Sequence, residues 1–135
     1  MYEGKRVTVM GLGLFGGGVG AARHFVENGA VVTVTDTRRE QDLKPSLDAL
    51  AGMPIRYVLG RHVEDDFRKA DVVVVNPGVA ADNPLVTMAR GAGAQIEKAI
   101  NLLFKLTSRN PKIGITGSNG KSTTTALVGD MMKLC

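Results

Sequence analysis

The sequence predicts an α/β fold in which a parallel β-sheet carries helices on its faces. Short β-branched runs alternate with segments of helical periodicity along most of the chain. One run, Val72–Val75, consists of four consecutive valines, which is typical of a strand buried on both sides. Strands joined through helices form right-handed β-α-β units, so we expect one parallel sheet.

Each element follows from a local pattern. β-branched residues indicate the strands, glycines end the first strand (Gly11) and the first helix (Gly29), and Asn83-Pro84 is a helix-entry signal. The first half is expected to contain strand Lys5–Met10, helix Gly17–Asn28, strand Val31–Thr35, loop Thr37–Asp42, a short helix Pro45–Leu50 and strand Ile55–Leu59. The second half is expected to contain a helical turn at Val63–Lys69, strand Val72–Val75, helix Asn83–Arg90, short strand Gln95–Ile96, amphipathic helix Lys98–Leu106, linker Ser108–Pro111, strand Lys112–Thr116 and helix Lys121–Leu134.

The composition excludes several classes of protein. The chain of 135 residues has 17 basic and 13 acidic side chains without a basic cluster, which argues against a nucleic-acid or membrane-surface patch. A hydrophobic share of 44% excludes wholesale disorder. The single cysteine, Cys135, excludes an internal disulfide framework, and no apolar run approaches the roughly 20 residues of a membrane span. We expect a cytoplasmic protein.

A glycine-rich turn joins the first strand to the first helix. Gly11–Gly16 matches the G-x-G-x-x-G pattern, in which the glycines allow a tight turn, the approach of a phosphate and close packing of helix on strand. Asp36 ends the second strand, where dinucleotide-binding domains place the acid that binds a ribose hydroxyl. Three further glycines, Gly17, Gly18 and Gly20, either delay the helix or permit a close crossing, and the sequence does not decide between these.

A second phosphate-loop pattern follows the last predicted strand. Gly117–Thr123 reads GSNGKST, a short G-x-x-G-K-S variant of the P-loop. Its backbone N–H groups are suited to phosphate, Lys121 to the terminal phosphates, and the Ser122 hydroxyl to Mg²⁺. We therefore expect Gly117, Ser118, Asn119, Gly120, Lys121, Ser122 and Thr123 to bind ATP.

The combination of a Rossmann-type glycine turn with a phosphate loop about one hundred residues later resembles the Mur ligases of bacterial peptidoglycan synthesis, and within them the enzymes that add D-glutamate. The resemblance is carried by Gly11–Leu14, by Asp36–Arg38 and by Thr116–Thr123. It implies ATP-dependent addition of D-glutamate to UDP-N-acetylmuramoyl-L-alanine through an acyl phosphate. Residues 1–107 would then form the nucleotide-sugar domain with a linker helix, and residues 108–135 would begin a central ATPase domain.

The resemblance also implies roles for individual residues. Gly13, Leu14 and Phe15 would meet the diphosphate, Asp36, Thr37 and Arg38 would flank the uracil and ribose, and Asn76, Pro77 and Gly78 would form the opposite wall. Lys121 would neutralise charge on the transferred phosphoryl group, and Ser122 would hold one Mg²⁺. The family commonly has a small hydroxyl residue in place of Phe15 and serine in place of Asn76. Its remaining catalytic groups would lie beyond Cys135, so we expect no ligase activity from these residues alone.

Other interpretations remain open at this stage. An NAD(P)-binding oxidoreductase or redox-sensing module would account for Gly11–Gly16 and Asp36 but would leave Gly117–Thr123 unexplained. A non-catalytic nucleotide-binding regulator is a third possibility. His24 is expected to be a packed or solvated helix residue, and His62 a histidine of a surface loop.

Overall fold

The computed structural model describes residues 2–80 and 82–134. Met1, Ala81 and Cys135, the sole cysteine, lie outside the described residues. The chain forms a five-stranded sheet of strands β1 (Arg6–Met10), β2 (Val31–Asp36), β3 (Ile55–Leu59), β4 (Val72–Val75) and β5 (Gln95–Lys98). The helices are α1 (Gly17–Glu27), α2 (Glu40–Asp48), α3 (Glu64–Arg68), α4 (Pro84–Gly91), α5 (Ala99–Leu106) and α6 (Lys121–Lys133).

All pairings between these strands are parallel, and the strand order is β3-β2-β1-β4-β5. The chain moves outward in one direction from β1 to β3 and then returns to place β4 on the other side of β1. The junction of β1 and β4 is therefore the point at which the strand order reverses. In open parallel sheets, ligands bind at the carboxyl edge beside such a point.

The side-chain alternation of the strands divides the core into two layers. One layer contains Val7 and Val9 of β1 with Phe25 of α1, and it also includes residues of α2 and α5. The other contains Val73 and Val75 of β4, packed with residues of α3 and α4. Both faces of β4 are covered, which explains its unbroken valine run and confirms the predicted fold class.

Helix α2 differs from the prediction. It begins at Glu40 and contains Pro45 in its interior, whereas the sequence predicted a loop to Asp42 and a helix starting at Pro45. Two acidic residues in its first turn favour the earlier start by interacting with the helix dipole. Leu43 is fully buried, and its burial favours extending the helix toward the N-terminus despite the hydrogen bond that Pro45 cannot donate.

The predicted strand at Lys112–Thr116 is not formed. These residues form no regular secondary structure, and they pair with no strand of the described chain. A single extended segment leaves its N–H and C=O groups to solvent, so a strand needs a neighbour to be stabilised. Helix α6 does form, but none of its residues is buried. No helix in residues 2–80 and 82–134 is long and apolar enough to span a membrane.

Candidate functional site

The main pocket lies at the carboxyl edge of the sheet, where β1, β2 and β4 end, and its volume is about 890 Å³. Met10, Asp36 and Asn76 come from the ends of these three strands and line it. Every residue that the sequence assigned to the nucleotide sugar lies in this lining: Gly13, Leu14, Phe15, Asp36, Thr37, Arg38, Asn76, Pro77 and Gly78. The fold therefore brings together three segments that are far apart in the chain.

The Asp36 side chain holds the glycine turn through hydrogen bonds to its backbone. One carboxylate oxygen accepts hydrogen bonds from the N–H groups of Leu12 (3.0 Å) and Gly13 (3.2 Å), and the other accepts from the N–H of Arg38 (2.9 Å). The residue is only 7% exposed. The Gly13 N–H and the Asp36 carboxylate, both predicted from the sequence to lie at the nucleotide, are therefore bonded to each other.

The same turn is fixed by two further side chains. Asn76 Nδ2 donates to the Gly11 carbonyl at 3.0 Å, which links the ends of β4 and β1. Ser46 Oγ of α2 donates to the Gly13 carbonyl at 2.7 Å. Gly13 has a φ of +64°, and an added Cβ there would lie 2.9 Å from Asn76 Nδ2. The turn is thus rigid, and glycine is required at residue 13 both by its backbone and by Asn76.

The third glycine of the pattern does not have the expected role. No heavy atom lies within 4 Å of a Cβ built on Gly16, which instead adopts a φ of +84° at the N-cap of α1. Close packing occurs at Gly18, where an added Cβ would lie 2.6 Å from the Gly11 carbonyl oxygen and 2.7 Å from Leu12 Cα. Gly18 therefore permits the close crossing that the sequence left undecided.

The start of α1 is the part of the turn suited to an anion. The first N–H groups of a helix have no partner within the helix, and its dipole adds partial positive charge there. Gly16, Gly17 and Gly20 line the pocket without a side chain. A phosphate can therefore approach the bare backbone at the beginning of α1, adjacent to Leu14 and Phe15.

An apolar wall closes another side of the pocket. Ile100, Leu103 and Leu106 of α5 line it, and each remains substantially exposed. The Phe15 side chain is fully exposed. The position of α5 is held by the buried Glu97, which accepts hydrogen bonds from Lys105 of α5 and from Gln95. The bond from Lys105 lowers the pKa of the Glu97 carboxyl.

His62 also lines the pocket, although the sequence suggested a histidine of a surface loop. Its Nδ1 lies 2.7 Å from Thr35 Oγ1, and its ring contacts Phe67 edge-on with centroids 5.9 Å apart. Burial lowers the pKa of His62, and the Asp36 charge opposes that shift. The position of His62 in the pocket could have been predicted from the topology, because the loops that follow the adjacent parallel strands β2 and β3 must meet at one edge of the sheet.

The second predicted site is separate from this pocket. Gly120, with a φ of +76°, is the N-cap of α6, and the Lys121 ammonium donates to the Gly117 carbonyl. Ser122 and Thr123 are exposed. In the described part of the chain, His, Asp and Glu side chains form no cluster suited to a metal ion. His24 is a partly buried helix residue in contact with Tyr2 and Phe25, as expected.

The sheet, the reversal of strand order and the glycine turn define an α/β domain of the Rossmann type. Residues 5–98 match the family model described as Mur ligase MurD-like, N-terminal domain. The chain belongs to the Mur ligase family, as the sequence resemblance predicted.

Individual relatives agree with this assignment. The chain is 53% identical over 130 residues to a UDP-N-acetylmuramoylalanine–D-glutamate ligase of Roseiflexus sp. (strain RS-1), covering 96% of this chain and 28% of the relative. It is 47% identical over 133 residues to the ligase of the same name from Geobacter metallireducens, covering 98% and 29%. The chain thus spans less than a third of the length of these relatives.

Solved structures of ligases have the same fold. A UDP-N-acetylmuramate–alanine ligase from Thermotoga maritima superposes with a TM-score of 0.64 at 30% identity, over 96% of this chain and 29% of that one. A pseudomurein peptide ligase type C from Methanothermus fervidus superposes with a TM-score of 0.59 at 29% identity, over 96% and 26%. Family membership favours the ligase interpretation over an oxidoreductase.

Proposed function

We propose that these residues belong to a cytoplasmic ATP-dependent ligase that joins D-glutamate to UDP-N-acetylmuramoyl-L-alanine through an acyl phosphate. The observation that carries the proposal is the pocket at the β1–β4 junction, which gathers all three segments predicted to hold the nucleotide sugar. The chain is 53% identical to a relative with that activity in its name. Within the proposal, this chain supplies the site for the nucleotide end of the substrate and the loop for ATP.

The pocket offers different chemistry along its length. The start of α1 would take the diphosphate through backbone N–H groups next to Leu14 and Phe15. Thr37 and Arg38 would flank the uridine, with Asn76, Pro77 and Gly78 on the far side. Asp36 supports this site indirectly, because its carboxylate fixes the loops that carry these groups.

The chemistry of the second loop fits the phosphates of ATP. Helix α6 begins at Lys121, and its first N–H groups have no partner within the helix. Lys121 would stabilise negative charge on the transferred phosphoryl group, and the Ser122 hydroxyl would hold Mg²⁺. A bound Mg²⁺ would add neutralising charge at the phosphates. Asn119 and Thr123 lie in the same exposed loop and first helical turn, where a nucleotide can reach them.

Calorimetric titration of the 135-residue chain tests the nucleotide part of the proposal. We expect UDP and UDP-N-acetylmuramoyl-L-alanine to bind and NADH not to bind. Binding of NADH without binding of either uridine nucleotide would contradict the proposal and favour the oxidoreductase. Gly78→Val adds a side chain to the pocket wall and is expected to weaken binding of the uridine nucleotides. Gly91→Val, at a glycine outside the pocket that likewise has open space around it and no positive φ, is the matched control.

The ATP part is tested on the full-length gene product. We expect ATP hydrolysis that depends on both UDP-N-acetylmuramoyl-L-alanine and D-glutamate, and Lys121→Ala is expected to abolish it. Lys133→Ala, at the other end of the same exposed helix, is the matched control. Unchanged turnover in Lys121→Ala would remove Lys121 from the proposed role.

A further inference from the structure

His62 is held in one orientation at the wall of the pocket. Its ring packs edge-on against the fully buried Phe67, and its Nδ1 lies 2.7 Å from the hydroxyl of the fully buried Thr35. The preceding residue, Arg61, forms an antiparallel bridge with Asp36. The loop that carries His62 is therefore fastened to the end of β2, beside Thr37 and Arg38.

The hydrogen bonds around Thr35 determine which nitrogen of His62 carries the proton. Thr35 Oγ1 also lies 3.1 Å from the Arg61 carbonyl oxygen, which can only accept. A hydroxyl has one hydrogen, so both contacts are hydrogen bonds only if Thr35 donates to Arg61 and accepts from His62 Nδ1–H. The neutral ring then has its lone pair on Nε2.

This lone pair is the part of His62 that remains available to a ligand. Within residues 2–80 and 82–134, His62 Nε2 makes no hydrogen bond. Burial lowers the pKa of the ring, which favours the neutral form. Asp36, the neighbouring acceptor, is already bonded to three backbone N–H groups. His62 thus lines the pocket and carries an acceptor that no group of the described residues occupies.

We propose that His62 Nε2 accepts a hydrogen bond from the N3–H group of a uracil ring and so selects the base of the bound nucleotide. Uracil presents N3–H between two carbonyl oxygens, and donors for such oxygens are available on Thr37 and Arg38, which line the same pocket. Cytosine has a lone pair at N3 in place of the N–H group, so its N3 and His62 Nε2 would both be acceptors and could not form a hydrogen bond. This inference rests on the proposed function, since it assigns the residue that recognises the uridine.

The test compares UDP, N3-methyl-UDP and CDP by calorimetry on the 135-residue chain. The methyl group removes the single donor in question and leaves the diphosphate unchanged. We expect the wild-type chain to bind UDP at least about 10-fold more tightly than either analogue, because an acceptor left unpaired costs about 1–3 kcal/mol. His62→Phe is expected to weaken UDP by a similar factor and to bind UDP and N3-methyl-UDP equally.

Two variants make the result specific. His62→Gln keeps an acceptor and is expected to retain part of the preference for UDP. His24→Phe makes the same change at a histidine outside the pocket and is expected to leave all affinities unchanged. Thermal melting checks that each variant is folded, and the comparison of analogues on the wild-type chain needs no variant.

The possible outcomes separate this inference from the proposed function. If UDP binds and N3-methyl-UDP binds equally well, the role of His62 is overturned and the uridine site stands. The same conclusion follows if His62→Phe is folded and keeps the wild-type preference. If no uridine nucleotide binds the wild-type chain, both proposals are wrong.

Discussion

Gly18→Ala provides a direct test of how the glycine turn is built. Gly18 lies in α1, and a Cβ on it would come within 2.6 Å of the Gly11 carbonyl oxygen, 2.7 Å of Leu12 Cα and closer still to the Leu12 carbonyl oxygen. All three atoms belong to the backbone of the turn, so no side-chain rotation relieves the contact. The helix or the turn must move by roughly 1 Å to reach an ordinary separation.

Two opposing effects set the magnitude. Alanine is favoured over glycine in a helix interior by about 1 kcal/mol. Overpacking of a tight core site costs about 1–3 kcal/mol, and here the neighbours are held by Asp36 and Asn76 and cannot easily give way. Because these backbone neighbours are fixed, we take the upper part of that range, about 2–3 kcal/mol, and after subtracting the helix preference we expect the free energy of unfolding to fall by about 1–2 kcal/mol. In a domain of this size, that corresponds to a decrease in Tm of about 4–16 °C.

Gly20→Ala is the matched control in the same helix. No heavy atom lies within 4 Å of a Cβ at Gly20, so only the helix preference should act and the variant should gain up to about 1 kcal/mol. Urea unfolding followed by circular dichroism measures both variants against the wild-type chain. If Gly18→Ala is as stable as Gly20→Ala, the close packing of helix on turn does not constrain this fold.

Three further predictions concern charge and completeness. Asp36→Asn replaces an acceptor with a group that can turn an N–H toward Leu12 and Gly13, so it should destabilise the chain by about 1–3 kcal/mol and weaken UDP in calorimetry; wild-type values for both would refute the organising role. Because the Lys105 bond lowers the pKa of Glu97, the unfolded chain takes up this proton at a higher pH than the folded chain. The stabilisation is therefore present above the ordinary glutamate pKa and is lost as the pH falls through the lowered value. Glu97→Gln should be less stable than wild type at pH 7 and should lose less stability on acidification to about pH 3 in urea unfolding; parallel pH profiles would contradict this. Finally, the chain spans 28% of a relative named for this activity, so residues 1–135 alone are expected to show no D-glutamate-dependent ATP turnover in a phosphate-release assay. Any such turnover would contradict this prediction.

The sheet could be predicted because the residues of each strand indicate whether one or both of its faces are buried. The four valines of Val72–Val75 predict a strand covered on both faces without any knowledge of its neighbours. Strands β3 and β4 have the predicted bounds. Helix α2 could not be predicted to the residue, because the burial of Leu43 outweighs the local signal of Pro45. The segment Lys112–Thr116 has a strand-like sequence, but the described chain offers it no neighbouring strand with which to pair.

The candidate site shows the same division between local and tertiary information. The segments at Gly13, Asp36 and Asn76 were recognisable because each follows a strand, and the carboxyl ends of parallel strands meet at one edge. Their hydrogen-bond partners were not recognisable, because the bond from the Gly13 N–H to Asp36 joins residues far apart in the chain.

The bonded state of Asp36 changes what the neighbouring groups have to do. A carboxylate that already accepts three N–H bonds has little capacity left to bind a ligand, and here it stabilises the loops around it. Under the proposed function, an anion would then be bound by the start of α1, and a donor by an acceptor that has no partner among the described residues. His62 Nε2 is such an acceptor. The sequence did not single out His62, because its contact with Thr35 of β2 joins residues that are 27 positions apart. The motif residues therefore fix the shape of the site, and under the proposal above a residue outside the motif, His62, supplies its selectivity.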